Sequence, residues 1–223
     1  TSPEVHNPTG LFTPVERREE IVEVARAHDI QIIEDDCYRM GASRAPSYRM
    51  LAPERGWYVS SISKTLTPAL RIGFVVAPKP SVPALRRSAE HGFFGLATPL
   101  ADLAERLLAD PQAAEYATKV NEVFGKYVQT CVNALGCYDL TWNEDVPFVW
   151  LKLPEGWRAS AFCQAAESEK VQIRPAEDFA GREARAPHAV RIAINAQIAH
   201  DHFESAMLRL RNLLDSPPER ISV

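Results

Sequence analysis

The chain has 223 residues, a formal net charge of −4, and 46% hydrophobic and 24% charged residues. This is ordinary globular composition, enough for one large domain or two small ones. The acidic balance argues against a nucleic-acid surface and no apolar run approaches a membrane-spanning length, so neither nucleic acid nor a membrane is expected as a partner. Cys37, Cys131, Cys137 and Cys163 form no Cys-x-x-Cys pair and have no accompanying His cluster. They read as reduced thiols in a cytoplasmic protein, with no metal site. The opening Thr-Ser-Pro-Glu-Val has no charged leader, apolar segment or Met, and is read as lying downstream of further residues.

Thr13-Pro14-Val15-Glu16 predicts a helix start, with Thr13 as cap, Pro14 in the first helical position and Glu16 bonding back. Ile21, Val24, Ala25 and His28 follow on one face, and the helix is expected to end near Asp29. Residues 30–33 predict a buried strand that ends in Glu34-Asp35-Asp36. Polar residues at the C-terminal end of such a strand are where ligands collect in open α/β sheets. Strands are predicted at 57–61 and 70–77, the latter stopped by Pro78 and Pro80. Helices follow at 82–91 and 98–109, then a long helix at 111–135 closed by Gly136. The last third changes style. Strands are predicted at 148–153, 171–173 and 190–194, helices at 160–169 and 200–214, and a loose tail from Ser216.

Lys64 lies just after a strand, in Ser-Ser-Ile-Ser-Lys-Thr at 60–65. A lone lysine is most often a solvated surface residue. At the ligand-facing end of a strand, a desolvated lysine can instead form a Schiff base with an aldehyde. Asp35 and Asp36 are paired carboxylates that need cations or donors. One could hold the protonated nitrogen of a pyridine cofactor; a cap or salt bridge is as good a reading of the pair alone. Tyr38, three residues after Asp35, could bond a ring oxygen. Asn7-Pro8-Thr9-Gly10 is a turn by composition, although Asn7 could aim its amide at a ligand oxygen. Ser61 and Arg71 suit a phosphate dianion, although Arg71 alone would more often be a surface ion pair. Arg191, inside Val190-Arg191-Ile192, either faces solvent by strand alternation or forks onto a carboxylate.

As an ordered set, Asn7-Pro8-Thr9-Gly10, Asp35-x-x-Tyr38, Ser61-x-Ser63-Lys64 with Arg71, and Arg191 resemble the class I and II aminotransferases. These are enzymes of fold type I that depend on pyridoxal 5′-phosphate (PLP). The resemblance covers nearly all of the chain and is nearest to the branch of aminoadipate-type aminotransferases and the PLP domains of MocR-type regulators. It implies an α/β fold: part of a fold type I large domain with a mixed sheet over 1–112, then a C-terminal α+β small domain over 113–223, linked by the long helix at about 111–135. It implies PLP as cofactor, with Lys64 as Schiff-base lysine and proton shuttle and Asp35 on the pyridine nitrogen. Tyr38 and Asn7 would meet the phenolic oxygen, and Ser61, Ser63 and Arg71 the phosphate. Arg191, with Asn7, would bind the substrate carboxylate. The implied activity moves an amino group between an α-amino acid and a 2-oxo acid, in a homodimer. A carbon–sulfur lyase, a PLP-sensing regulator domain and an inactive fragment are the rival readings. The family's region ahead of Asn-Pro-Thr-Gly, which supplies a phosphate loop and a ring-stacking aromatic, is absent from this sequence.

Overall fold

The computed structural model describes residues 1–93 and 95–217. They form two compact units, one of residues 1–6 and 11–121, the other of residues 7–10 and 122–223. The division falls inside the long helix, after residue 121, and the Asn-Pro-Thr-Gly turn belongs with the second unit.

The first unit contains α1 (Val15–Ala27), β1 (Ile32–Asp35), α2 (Tyr48–Leu51), β2 (Gly56–Ser61), β3 (Gly73–Val76), α3 (Val82–Phe93) and α4 (Thr98–Ala109). Its sheet has the order β1-β2-β3. β1 runs parallel to β2 and β3 antiparallel to it, so the sheet is mixed, as expected. Alternation along β1 buries Ile32 and Glu34 and exposes Ile33, which is 60% accessible. Ile32 packs with Val22 and Ala25 of α1 and with Tyr48 and Ala52. Gly56 is needed where β2 starts, because a Cβ there would lie 2.3 Å from the Tyr48 carbonyl oxygen. Ser47 caps α2 by accepting the Met50 N–H at 3.3 Å.

Three local expectations change. Helix α1 begins at Val15 with Pro14 as its cap residue. Thr13 is held elsewhere: its N–H donates to the Pro3 carbonyl and its own carbonyl accepts from Arg18 Nε. The buried face of α1 is Arg18, Val22 and Ala25, whereas Val24 is 55% exposed. Arg18 goes inside because the buried Glu4 carboxylate, 2.6 Å from its Nη2, requires its charge. β1 starts two residues later than predicted, since Ile30 is spent on the turn that closes α1, its N–H bonded to the Ala25 carbonyl at 2.8 Å.

Helix α5 (Pro111–Leu135) begins in the first unit and ends in the second. Asp110 caps it by accepting the Gln112 N–H at 2.8 Å, with Pro111 in the position that needs no donor. The second unit adds β4 (Leu140–Thr141), β5 (Phe148–Lys152), α6 (Ala159–Ser168), β6 (Arg174–Pro175), β7 (Ala189–Ala193) and α7 (His200–Asp215). Its antiparallel sheet has the order β4-β5-β7-β6. One face buries Val149, Leu151, Val190 and Ile192 against Val128, Leu135, Phe162 and Leu210 from the helices. Residues 171–173 are not a strand: Val171 instead closes α6, bonding to the Ala166 carbonyl, and pairing begins at Arg174. Residues 218–223 of the expected loose tail lie outside the described residues.

Candidate functional site

Parallel pairing of β1 and β2 puts their C-terminal ends at one edge of the first unit's sheet. Asp35 pairs with Val59, and the Asp36 N–H donates to the Val59 carbonyl at 2.8 Å. Ser61 ends β2 opposite Gly73, the first residue of β3. The connection between them, residues 62–72, therefore starts and finishes at that same edge. It carries Ser63, Lys64 and Arg71. Ile62 and Ile72 are buried together with Ala104 and pin both ends of this connection. Arg71 has φ 53°, a left-handed value uncommon outside glycine. Next to buried Ile72 it stays exposed.

Lys64 is exposed, with its Nζ 5.4 Å from the centroid of the Tyr38 ring. Ser61 Oγ accepts the Ser63 N–H at 3.4 Å. The two aspartates part company. Asp35 lies on the exposed face of β1, where its Oδ1 accepts the Cys37 N–H at 3.0 Å. Asp36 is 4% exposed and committed internally. Its Oδ2 accepts from Arg39 Nε at 2.7 Å and from the Tyr58 hydroxyl at 2.5 Å, and its carbonyl accepts from Ser60 Oγ at 3.1 Å. Burial and the Asp35 carboxylate push the Cys37 thiol up to about 11, so this cysteine is neutral at ordinary pH.

Behind the same strand lies a buried charge network that the sequence did not announce. Arg18 Nη2 donates to Glu4 Oε1 at 2.6 Å, and Arg18 Nη1 lies 3.9 Å from Glu34 Oε1. Arg18 also donates to the carbonyls of Thr13 and Pro46, each at 2.9 Å. Burial pushes Glu4 up, but the Arg44 N–H and Arg18 outweigh it and hold the carboxyl below its usual range. Glu34 goes the other way. Burial outweighs the Tyr48 N–H and Arg18, and raises it to about 7.

In the second unit, Arg191 Nη1 donates to Asn7 Oδ1 at 2.8 Å. The two residues are 184 apart in sequence. The guanidinium carbon lies 4.8 Å from the Phe179 ring centroid and 5.5 Å from that of Phe148. Arg191 Nε is buried without a hydrogen-bond partner among the described residues, an unmet donor. The aromatic neighbours had no signal in the sequence, since Phe179 is 12 residues away in a 3-10 turn (Ala176–Phe179). Among the described residues, no group of three or more His, Cys, Asp or Glu is arranged to hold a metal ion, and no helix is long and apolar enough to cross a membrane.

Residues 3–210 match the family model described as aminotransferase class I and II. The 2-aminoadipate transaminase of Thermus thermophilus is 30% identical over 198 residues, covering 79% of this chain and 47% of that relative. An uncharacterized HTH-type transcriptional regulator of Bacillus subtilis is 26% identical over 223 residues, covering 96% of this chain and 46% of the regulator. The crystal structure of LysN, the alpha-aminoadipate aminotransferase of Thermus thermophilus, complexed with N-(5′-phosphopyridoxyl)-L-leucine, superposes with a TM-score of 0.82 at 25% identity. The match covers 96% of this chain and 57% of that one. The chain thus spans about half the length of the curated relatives it matches.

Proposed function

This chain belongs to the class I and II aminotransferases, and from that premise we propose that it is the part of a PLP-dependent aminotransferase that moves an amino group between an α-amino acid and a 2-oxo acid. The observation that carries the proposal is the gathering of Asp35, Ser61, Lys64 and Arg71 at one edge of one sheet, with Tyr38 beside Lys64. The donor set fits PLP: an amine for its aldehyde, a carboxylate for its pyridine nitrogen, a phenol for its ring oxygen, and hydroxyls with a guanidinium for its phosphate. When bound, PLP supplies a ring that draws electrons from the carbon bearing the amino group.

Lys64 Nζ would hold the cofactor through its aldehyde and would move the proton of the substrate's α-carbon. Asp35, which unlike Asp36 is not consumed by Arg39, would keep the pyridine nitrogen protonated. Tyr38 would donate to the ring oxygen, a role the resemblance also gives to Asn7. Ser61, Ser63 and Arg71 would hold the phosphate. Arg191 would clamp the substrate's α-carboxylate, an anion that would satisfy its buried Nε. The proposal extends to a homodimer in the cytoplasm, the first of which sedimentation tests.

The decisive experiment incubates the protein with PLP, reduces it with borohydride and maps the modified peptide. A phosphopyridoxyl group on Lys64, absent in Lys64→Ala, supports the assignment; an unmodified Lys64 refutes it. Amino transfer from a panel of α-amino acids to a 2-oxo acid then tests turnover. A second reading, favoured by the match to an HTH-type regulator along 96% of this chain, is a domain that captures PLP without turnover. Labelling at Lys64 with no 2-oxo acid product selects it.

A further inference from the structure

Between the buried aspartate and the exposed one lies a mechanical question: what keeps Asp35 and Tyr38 facing outwards? The residues from Asp36 to Arg39 form a short bend. Its inner ends are tied by the ion pair from Arg39 Nε to Asp36 Oδ2 at 2.7 Å. Arg39 uses its other two nitrogens as well: Nη1 donates to the Gly41 carbonyl at 2.9 Å and Nη2 meets the Tyr58 hydroxyl at 3.2 Å. Three donors on one rigid plane reach three acceptors, on the strand end, on the following loop and on β2. Only Cys37 and Tyr38 lie between the tied ends, and Tyr38 holds its ring over Lys64.

We propose that Arg39 is a positioning residue: with Asp36 and Tyr58 it locks the bend that presents Asp35 and Tyr38 to the cofactor and sets the Tyr38 ring against Lys64. The proposal rests on the PLP reading above for its ligand, but its geometry lies wholly within the first unit. A buried ion pair seldom stabilises a fold more than an apolar replacement of similar volume does. A planar fork on three acceptors fixes direction, which a single ammonium cannot reproduce. Burial works against the charge on Arg39, and the bonds to Asp36 and Tyr58 outweigh it, raising its proton affinity. The fork is therefore held in its charged form.

Because Arg39→Met alone strands a buried carboxylate, the test also uses Asp36→Asn/Arg39→Met, which removes both charges and keeps an acceptor for Tyr58. Circular dichroism and the thermal midpoint report folding. Two readouts follow in the full chain: PLP affinity by absorbance titration, and the rate of reductive methylation of Lys64 relative to exposed Lys79, by peptide mass spectrometry. In the folded double variant, PLP binds about tenfold more weakly, as expected for losing the orientation of one charged hydrogen-bonding group. Lys64 is methylated roughly two- to fivefold faster relative to Lys79, because the Tyr38 ring no longer lies against its Nζ. Arg39→Lys falls between the wild type and the double variant. A folded double variant with wild-type PLP affinity and an unchanged Lys64-to-Lys79 ratio overturns the proposal. If the wild-type chain takes no PLP, the cofactor reading falls, and the methylation ratio still decides the role of Arg39.

Discussion

Glu34→Gln isolates the least comfortable group in the first unit. Glu34 is completely buried, and its carboxyl Oε2 accepts the Tyr48 N–H at 2.6 Å. Its Oε1 has no hydrogen-bond partner and lies 3.9 Å from Arg18 Nη1. Burial raises the group from 4.5 to about 7. Between those values the folded chain holds a proton that the unfolded chain has lost, so stability falls as pH rises through this window and the loss is complete above it. At about 1.4 kcal/mol per pH unit, wild type loses up to about 3 kcal/mol from Glu34 alone on going from below pH 4.5 to above pH 7. Glutamine keeps the bond from Tyr48 and has nothing to ionise. Urea unfolding of both proteins from pH 4.5 to 8 measures the difference directly, since every other titrating group is common to the pair. The expected outcome is near-equal stability at the acid end and a variant more stable by up to about 3 kcal/mol at pH 8. Parallel stability–pH curves would refute the assignment of a retained proton to Glu34.

Arg18→Met removes the cation that Glu4 and Glu34 share and the donors to the Thr13 and Pro46 carbonyls. It should cost about 3–5 kcal/mol in urea unfolding, and a triple variant that also neutralises both glutamates should recover most of it. Gly56→Ala puts a Cβ 2.3 Å from the Tyr48 carbonyl oxygen. Because backbone must move, a loss of about 1–3 kcal/mol is expected in the same assay, whereas Gly92→Ala meets nothing within 4 Å and should be tolerated. Cys131 is fully buried and pushed up by burial to about 12, and Cys137 is exposed. A thiol reagent should label Cys137 in the native protein and reach Cys131 only on unfolding, as peptide mapping would show.

Most of the fold was legible because its signals are local. Pro111 and Gly136 bracket α5 as predicted, and β2 emerges from its aromatic and β-branched run. The errors arose where a partner far along the chain decides. Periodicity assigned Val24 to the buried face of α1, and the structure gives that place to Arg18, whose carboxylate partners are 14 and 16 residues away at Glu4 and Glu34. Helix α2 was missed because four residues in a Pro-flanked loop carry no period. For the candidate site, the ordered motifs pointed to Asp35, Tyr38, Ser61, Lys64 and Arg71, and the sheet register collects their backbone at one edge. The bond between Asn7 and Arg191 joins the two ends of the sequence, and no local pattern encodes such a pairing.

The adjacent aspartates show how two chemically identical residues can be given opposite surroundings. Composition and spacing treat Asp35 and Asp36 alike, and either could serve a pyridine nitrogen. The strand separates them. Parallel pairing with β2 fixes the register, and the two-residue period then turns one carboxylate outwards and the next inwards. The inward one must find a cation, and Arg39, three residues on, supplies it. That pairing removes Asp36 from any chemistry and makes it part of the bend that carries Tyr38. A one-residue slip of β1 against β2 would exchange the two roles, burying Asp35 and pulling Arg39 off the sheet. Which carboxylate this edge presents outwards is therefore decided by the β1–β2 register and not by the motif residues alone.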